Sequence, residues 1–453
     1  MKKIPVGLEE KINITIDRIS HQGEGIGKIE NFAVFVSGVI KGEKVKVKIT
    51  EIRKNFARGE LEEVLLPSQN REKPPCSVFN FCGGCHLQHI KYKKQLEMKK
   101  EIVENALFWL DNQNINIMPV LGMVCPWHYR NKGHFHISKE NNKIKLGFYK
   151  SKSHKLIPVS RCLLFSENIN NLIRYLEEEL TRQDVSIYDQ KTDRGDFRGI
   201  ILRESKHSGE TMIIFITREE SLNLNQNFLD KIATIFPQVV SIYQNVNKNP
   251  KMSILGKKFK NLKGKSFIED YIGSYVFKIS PSSFFQINVP QTEALYEKIS
   301  QCINLTGEEI VIDSYCGTGT ISIYLAGKAK KVYGLELHKG AVNDAWVNGK
   351  LNQFLNLKFF PGKAEDWLYK WTQGSEKADV VIIDPPRKGC SRQFLKNIFK
   401  ANPKQIVYVS CDMLTMTRDI RYIVQNDYLI KTVQPVDMFP HTSHIECLVH
   451  LTK

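Results

Sequence analysis

Nowhere in the 453 residues is there a run of eighteen uninterrupted apolar residues, so no segment reads as a membrane span. The opening stretch, MKKIPVGLEEKINITIDRIS, has no long apolar run of the signal-peptide kind, and the expected location is the cytoplasm. Acidic residues are outnumbered, 48 against 65 Lys and Arg, leaving a net charge of +17. That imbalance points to a polyanionic partner, RNA or DNA ahead of a membrane surface, because no basic amphipathic anchor is evident. A generally Lys-, Asn- and Ile-rich proteome would produce part of the same excess. Ten cysteines are too few for a disulfide framework in a chain of this length without a secretory signal, which leaves metal binding or catalysis for the thiols.

What is present is an ordinary globular composition, 42% hydrophobic and 25% charged, long enough for about two to four domains. From about residue 10 to 66, short alternating runs (INITIDRIS, NFAVFVSGVI, KGEKVKVKIT, FARGELEEVL) are broken by glycine. They predict a small OB-like β-barrel. Gly23, Gly25 and Gly27 have no suitable helix after them and are not a dinucleotide loop.

Cys76, Cys82 and Cys85 fall within ten residues, with glycines beside them. Four ligands are expected for zinc or for an iron–sulfur cube. Cys162, in PVSRCLLF, is the first candidate for the fourth and Cys125 the second; His86 and His89 are the alternatives close by. The irregular spacing is not that of paired zinc knuckles and favours [4Fe–4S], with structural zinc still open.

Residues 91 to 110 carry apolar positions at helical spacing and predict an amphipathic helix that packs on a later domain. In 127–162, nine Lys and Arg accompany one acid, Glu140, with Trp127, Tyr129, Phe135, Phe148 and Tyr149 interleaved. Basic groups neutralise phosphates while aromatic faces stack on unpaired bases, a composition suited to single-stranded or looped RNA. A hairpin with a solvated outer face would read similarly. Residues 168 to 268 suggest an α+β scaffold without assigned chemistry.

From about Tyr271, buried strands alternate with helices, as in a doubly wound sheet. EIVIDSYCGTGT closes a strand at Asp313 and turns through Gly317 and Gly319; KVYGLELH ends a second strand at Glu336. An acid there is placed to accept hydrogen bonds from ribose hydroxyls. Without a full GxGxxG, pyrophosphate is disfavoured and S-adenosylmethionine fits better. ADVVIIDPPRKG ends a third strand at Asp384, and QIVYVSCDMLTMTRD brings Cys411 to the carboxyl edge of a fourth, where ligands bind in such sheets. Cys411 reads as a nucleophile or as a small core residue. Glu446, in VDMFPHTSHIECLVHL, sits in an otherwise apolar strand, a setting that raises a carboxyl pKa and suits proton transfer.

In order, FFQIN, DSYCGTGT, Glu336, DPPRKG, VSCDMLTMTRD and MFPHTSHIE resemble the motifs of the RNA uracil-5-methyltransferases. The N-terminal barrel resembles a TRAM domain, and Cys76, Cys82, Cys85 and Cys162 resemble the iron–sulfur ligands of that family's cluster-bearing branch. The resemblance covers essentially the whole chain. It implies a TRAM-like barrel over 1–67, a central RNA-binding domain with the cysteines over 68–270, and a Rossmann-like methyltransferase domain over 271–453. It also implies that Gln286, Tyr315, Glu336 and Asp384 contact the methyl donor, that Cys411 is the nucleophile and that Glu446 is the base. TRAM plus cluster most resembles enzymes acting on 23S ribosomal RNA; tRNA uridine-54 enzymes share the architecture. The remaining alternatives are a non-catalytic ribosome-assembly factor and an electron-transfer protein. No membrane or obligate protein partner is expected. Lys363 departs from the pattern, standing where the family often has an acid or amide, and is left out of the expected site.

Overall fold

The computed structural model describes residues 4–453 other than 109, 111–114, 152, 191, 223 and 250–253. The N-terminal strands alternate inward β-branched residues with polar ones and form a six-stranded curled sheet. Val34, Val36, Val45, Val47 and Ile49 fill its interior, as the period-2 pattern requires. Arg58 lies over both Phe35 and Phe56 on the outside of this sheet.

The central domain is a seven-stranded sheet built from segments between Lys132 and Gly264. The helices Glu167–Arg182 and Gln226–Ile235 cover one face around Phe135, Ile200, Leu202 and Ile213. The opposite face sends Ile201, Met212 and Ile214 into a core shared with the C-terminal domain. Because strand residues alternate sides, one apolar strand can serve two cores. Part of the lysine-rich stretch from Lys248 to Lys265 forms the edge strand Lys258–Gly264, where charge protects an unpaired strand; residues 250–253 of it lie outside the described residues.

The C-terminal sheet has seven strands in the spatial order Leu357–Pro361, Lys331–Glu336, Ile310–Ser314, Val380–Ile383, Gln405–Ser410, Glu446–Thr452, Leu429–Val436. All neighbours are parallel except Glu446–Thr452, which runs antiparallel to both of its partners. The hairpin Ile268–Ile272/Tyr275–Ile279 joins this domain's core, so the domain boundary expected at Tyr271 falls inside a strand. The helix Tyr92–Leu107 packs Ile102, Val103 and Leu107 into the other face of the same sheet. Residues 116–121 run along the edge strand, with Met118 N–H donating to Val433 O at 2.9 Å and Leu121 N–H to Pro435 O at 2.9 Å. No helix among the described residues is long and apolar enough to cross a membrane.

Candidate active site

The strands of the C-terminal sheet are apolar and buried on both faces, as parallel strands must be, and their polar residues gather at the carboxyl ends. Tyr315, Gly317 and Thr318 follow Ile310–Ser314; Glu336 ends its strand; Asp384 to Arg387 follow Val380–Ile383; Cys411 follows Gln405–Ser410. Glu446 reaches the same edge because it opens an antiparallel strand. Ser410 pairs with Cys447, so the next step of that register sets Cys411 opposite Glu446. Together with Phe284, Gln286 and Phe439 these residues line one cleft of about 630 Å³.

The turn after Asp313 requires left-handed backbone at Tyr315 (φ 67°), Gly317 (φ 55°) and Gly319 (φ 79°), uncommon for a tyrosine and of the kind concentrated at functional sites. A Cβ on Gly319 would stand 2.9 Å from the Phe359 ring, whereas one on Gly317 would meet nothing within 4 Å. Glu336 accepts hydrogen bonds from Gly317 N–H at 3.2 Å and His338 N–H at 2.8 Å, tying the two strand ends together. Asn131 of the central domain donates to Gln286 O at 2.8 Å, and Asn288 donates to Met438 O at 3.1 Å. The FFQIN segment is thereby fixed between the central sheet and the loop leading to Glu446.

Burial raises the pKa of Asp384 and of Glu446; for Glu446 the Asp384 charge adds to the rise and Arg387 opposes it. Burial also lifts the Cys411 thiol to about 11, with Glu446 and Asp384 adding and the Arg387 guanidinium working against them. Asp313 is pushed up to about 7 by burial, despite a 2.6 Å hydrogen bond from Ser322 Oγ, and its Oδ1 has no hydrogen-bond partner. Glu336, Asp384 and Glu446 at one cleft, the last two carrying raised pKa values next to a thiol, favour a cationic ligand and a reaction that moves protons.

Residues 91–453 match a family model described as tRNA (Uracil-5-)-methyltransferase, and residues 8–61 match the TRAM domain. A Clostridium tetani protein named as an uncharacterized RNA methyltransferase is 42% identical over 100% of this chain and 98% of its own. The chain belongs to the RNA uracil-5-methyltransferase family. A Listeria monocytogenes relative, also named as an uncharacterized RNA methyltransferase, is 40% identical over 98% of this chain and 97% of its own. The structure of Pyrococcus abyssi tRNA (uracil-54, C5)-methyltransferase in complex with S-adenosyl-L-homocysteine is similar at a TM-score of 0.77 and 27% identity. It covers 97% of this chain and 99% of that one.

Every active-site residue expected of this methyltransferase from sequence (Gln286, Tyr315, Glu336, Asp384, Cys411 and Glu446) lines the one cleft, and so does the excluded Lys363. Sequence reasoning missed Arg387, which faces the thiol, although its position in DPPR, three residues from Asp384, was a usable signal. It also missed Asp419. That buried carboxylate accepts hydrogen bonds from Cys390 N–H at 2.7 Å, Tyr408 OH at 2.7 Å and Arg418 Nε at 2.8 Å. With Thr415 Oγ1 donating to Arg387 O at 3.0 Å, the helix Met413–Val424 fastens the DPPRKG loop beside Cys411.

The second expected set also converges. Cys76, Cys82, Cys85 and Cys162 line one apolar cavity of about 50 Å³, with Phe79, Arg130 and Phe165 around them. Among the described residues, however, no three Cys, His, Asp or Glu side chains stand close enough to hold a metal ion. Burial pushes Cys85 up to about 12 and Cys162 to about 11. Cys125 is exposed and lies outside this cavity. His86 and His89 pack instead: His89 lies 3.4 Å from Val39 O, and His86 lies 3.4 Å from Ser443.

Proposed function

We propose that this enzyme methylates C5 of a uridine in 23S ribosomal RNA, using S-adenosylmethionine, with Cys411 as nucleophile and Glu446 as base. The observation that carries the reading is the pairing register that sets Cys411 across from Glu446 at a carboxylate-lined cleft. Gln286, Tyr315, Glu336 and Asp384 would hold the donor, which supplies an electrophilic methyl carbon when bound. The buried Asp313, whose Oδ1 lacks a hydrogen-bond partner, and the cleft carboxylates Glu336 and Asp384 suit its positive charge.

Uracil C5 is a poor nucleophile. As the thiolate, Cys411 Sγ forms a bond to C6, and the C5–C6 π electrons move into an enolate that makes C5 nucleophilic. A neutral thiol cannot do this, and burial holds Cys411 in that form; Arg387 is the group that favours the thiolate. Once C5 carries both hydrogen and methyl, Glu446 removes the hydrogen as a proton, the C5–C6 double bond re-forms and Sγ leaves. Cationic charge entering the cleft lowers the pKa of Asp384 and Glu446 and so readies Glu446 as a base. The uridine has to leave its stack to reach Sγ, which favours a loop and agrees with the basic-aromatic segment of 127–162.

We also infer an iron–sulfur cluster at Cys76, Cys82, Cys85 and Cys162. Four thiols around one cavity are the right donor set, and a multi-iron cube, being wider than one ion, does not need its ligands to meet at a point. Burial keeps Cys82, Cys85 and Cys162 protonated without a positive centre among them. Iron and sulfide content and a visible spectrum of anaerobically purified protein test this; stoichiometric zinc without sulfide would overturn it.

TRAM barrel and cysteines together favour ribosomal RNA. The likeness to the Pyrococcus abyssi tRNA enzyme favours tRNA uridine-54 as a second reading. Mapping 5-methyluridine in 23S RNA and tRNA from a deletion strain separates them: a lost 23S modification is expected, and loss confined to tRNA position 54 would support the second.

A further inference from the structure

The helix Met413–Val424, which starts two residues after Cys411, has two distinct faces. Met413, Met416, Ile420 and Ile423 are buried in the sheet's core. Leu414, Arg418, Arg421 and Tyr422 recur at the spacing of one helical stripe and face a separate surface cleft of about 430 Å³. Arg392, from the neighbouring helix Arg392–Ala401, closes the cleft, its guanidinium 4.1 Å from the centre of the Tyr422 ring. Among the described residues, three arginines line the cleft and no acidic residue does. The carboxylate beneath, Asp419, is buried and already engaged by Cys390, Tyr408 and Arg418.

Two features tie this cleft to the reaction. Leu414 also lines a groove that contains Cys411, Arg387 and His444, so the arginine cleft adjoins, at that side chain, the approach to the nucleophile. Arg418 is held in place by donating to Lys388 O at 3.1 Å and Cys390 O at 3.2 Å. From Met413 to Arg421 the helix rises about 12 Å, a reach of a few nucleotides from the target base.

We propose that Arg392 and Arg421, with Arg418 between them, bind the sugar–phosphate backbone of the substrate RNA strand beside the target uridine. Planar guanidiniums fixed on a ring and on carbonyls are pre-organised for bidentate phosphate contacts. Such contacts position the strand without reading its sequence. The inference rests on the chain acting on RNA, as proposed above.

The test is methyl transfer to total RNA from a deletion strain, with KM for RNA measured over a range of KCl concentrations. Each single-strand phosphate contact contributes about 0.7 to the salt slope. Arg392→Ala/Arg421→Ala is expected to make the slope of log(1/KM) against log[KCl] shallower by about 1.4 and to raise KM about tenfold at moderate salt, with kcat unchanged. Arg392→Lys/Arg421→Lys, which keeps the charge, is expected to keep the wild-type slope. A wild-type slope in the alanine variant, or equal losses in both variants, would overturn the proposal while leaving the methyltransferase reading intact. Absence of transfer by the wild-type protein would instead remove the reading on which the proposal rests.

Discussion

Lys99 and Asp437, 338 residues apart in the chain, form an ion pair with both side chains fully buried. Asp437 also accepts a 2.8 Å hydrogen bond from Tyr92 OH, and Lys99 Nζ donates to Phe439 O at 3.1 Å. Further along the same loop, Gln95 and Trp127 engage His441, the latter by stacking at 3.7 Å. The helix Tyr92–Leu107 therefore braces the segment that ends in Glu446. Removing one partner of such a pair leaves an uncompensated buried charge, at a cost of about 3–5 kcal/mol. Lys99→Ala is expected to lower stability by that amount in chemical denaturation, and Lys99→Met/Asp437→Leu by much less. A single-variant loss below about 1 kcal/mol, the range of an exposed pair, would show that the pair does not brace the loop.

Burial holds the Cys411 thiol at about 11 in the free protein. Since the thiolate is the reactive form, alkylation of Cys411 by iodoacetamide, followed by mass spectrometry, is expected to be slow at pH 7. It should rise close to tenfold per pH unit towards 11. Arg387→Ala removes the one neighbour favouring the thiolate and should slow alkylation further at every pH below that range.

Asp384 ionises in the folded cleft only at a raised pKa. Its unfavourable contribution is absent below the unfolded value of about 3.9, grows as the pH rises towards the folded value, and stays constant above it. Asp384→Asn is accordingly expected to raise the melting temperature at pH 8 by a few degrees and to leave it nearly unchanged at pH 4. The same substitution should raise KM for the methyl donor, an exchange of function against stability.

Asp419 holds the DPPRKG loop against the helix after Cys411, and a Cβ on Gly389 would stand 2.6 Å from its carboxylate. Asp419→Ala leaves Cys390 N–H and Tyr408 OH without an acceptor, about 1–3 kcal/mol each. Thermal denaturation should register the loss. Among molecules still folded, kcat should fall.

Much of the site could be read from sequence because its residues end regular elements. Asp384 and Cys411 each follow a β-branched run, Glu336 ends a largely apolar strand, and Glu446 sits in another, so the strand pattern marks a shared edge. The alternating N-terminal runs marked the barrel for the same reason, and helical spacing marked Tyr92–Leu107. What stayed hidden depends on contacts between distant segments. Nothing in the sequence pairs Lys99 with Asp437 or aims Asp419 at the backbone of Cys390. The role of Arg387 comes from facing a thiol 24 positions later (387 to 411), a proximity created by sheet order. The interleaving of domains was equally illegible, because residues such as Ile201 and Met212 look like ordinary strand core until the second face is seen to be covered.

In the proposed mechanism Cys411 bonds to the RNA and Glu446 completes the release. The most direct measurement incubates the Glu446→Gln protein with unmodified RNA and a labelled methyl donor and examines the products by denaturing gel and mass spectrometry. The expected product is a denaturation-resistant RNA–protein species joined through Cys411, carrying the transferred methyl group and absent from Cys411→Ala/Glu446→Gln. Full methyl transfer by Cys411→Ala, with no adduct in the Glu446→Gln protein, would contradict it.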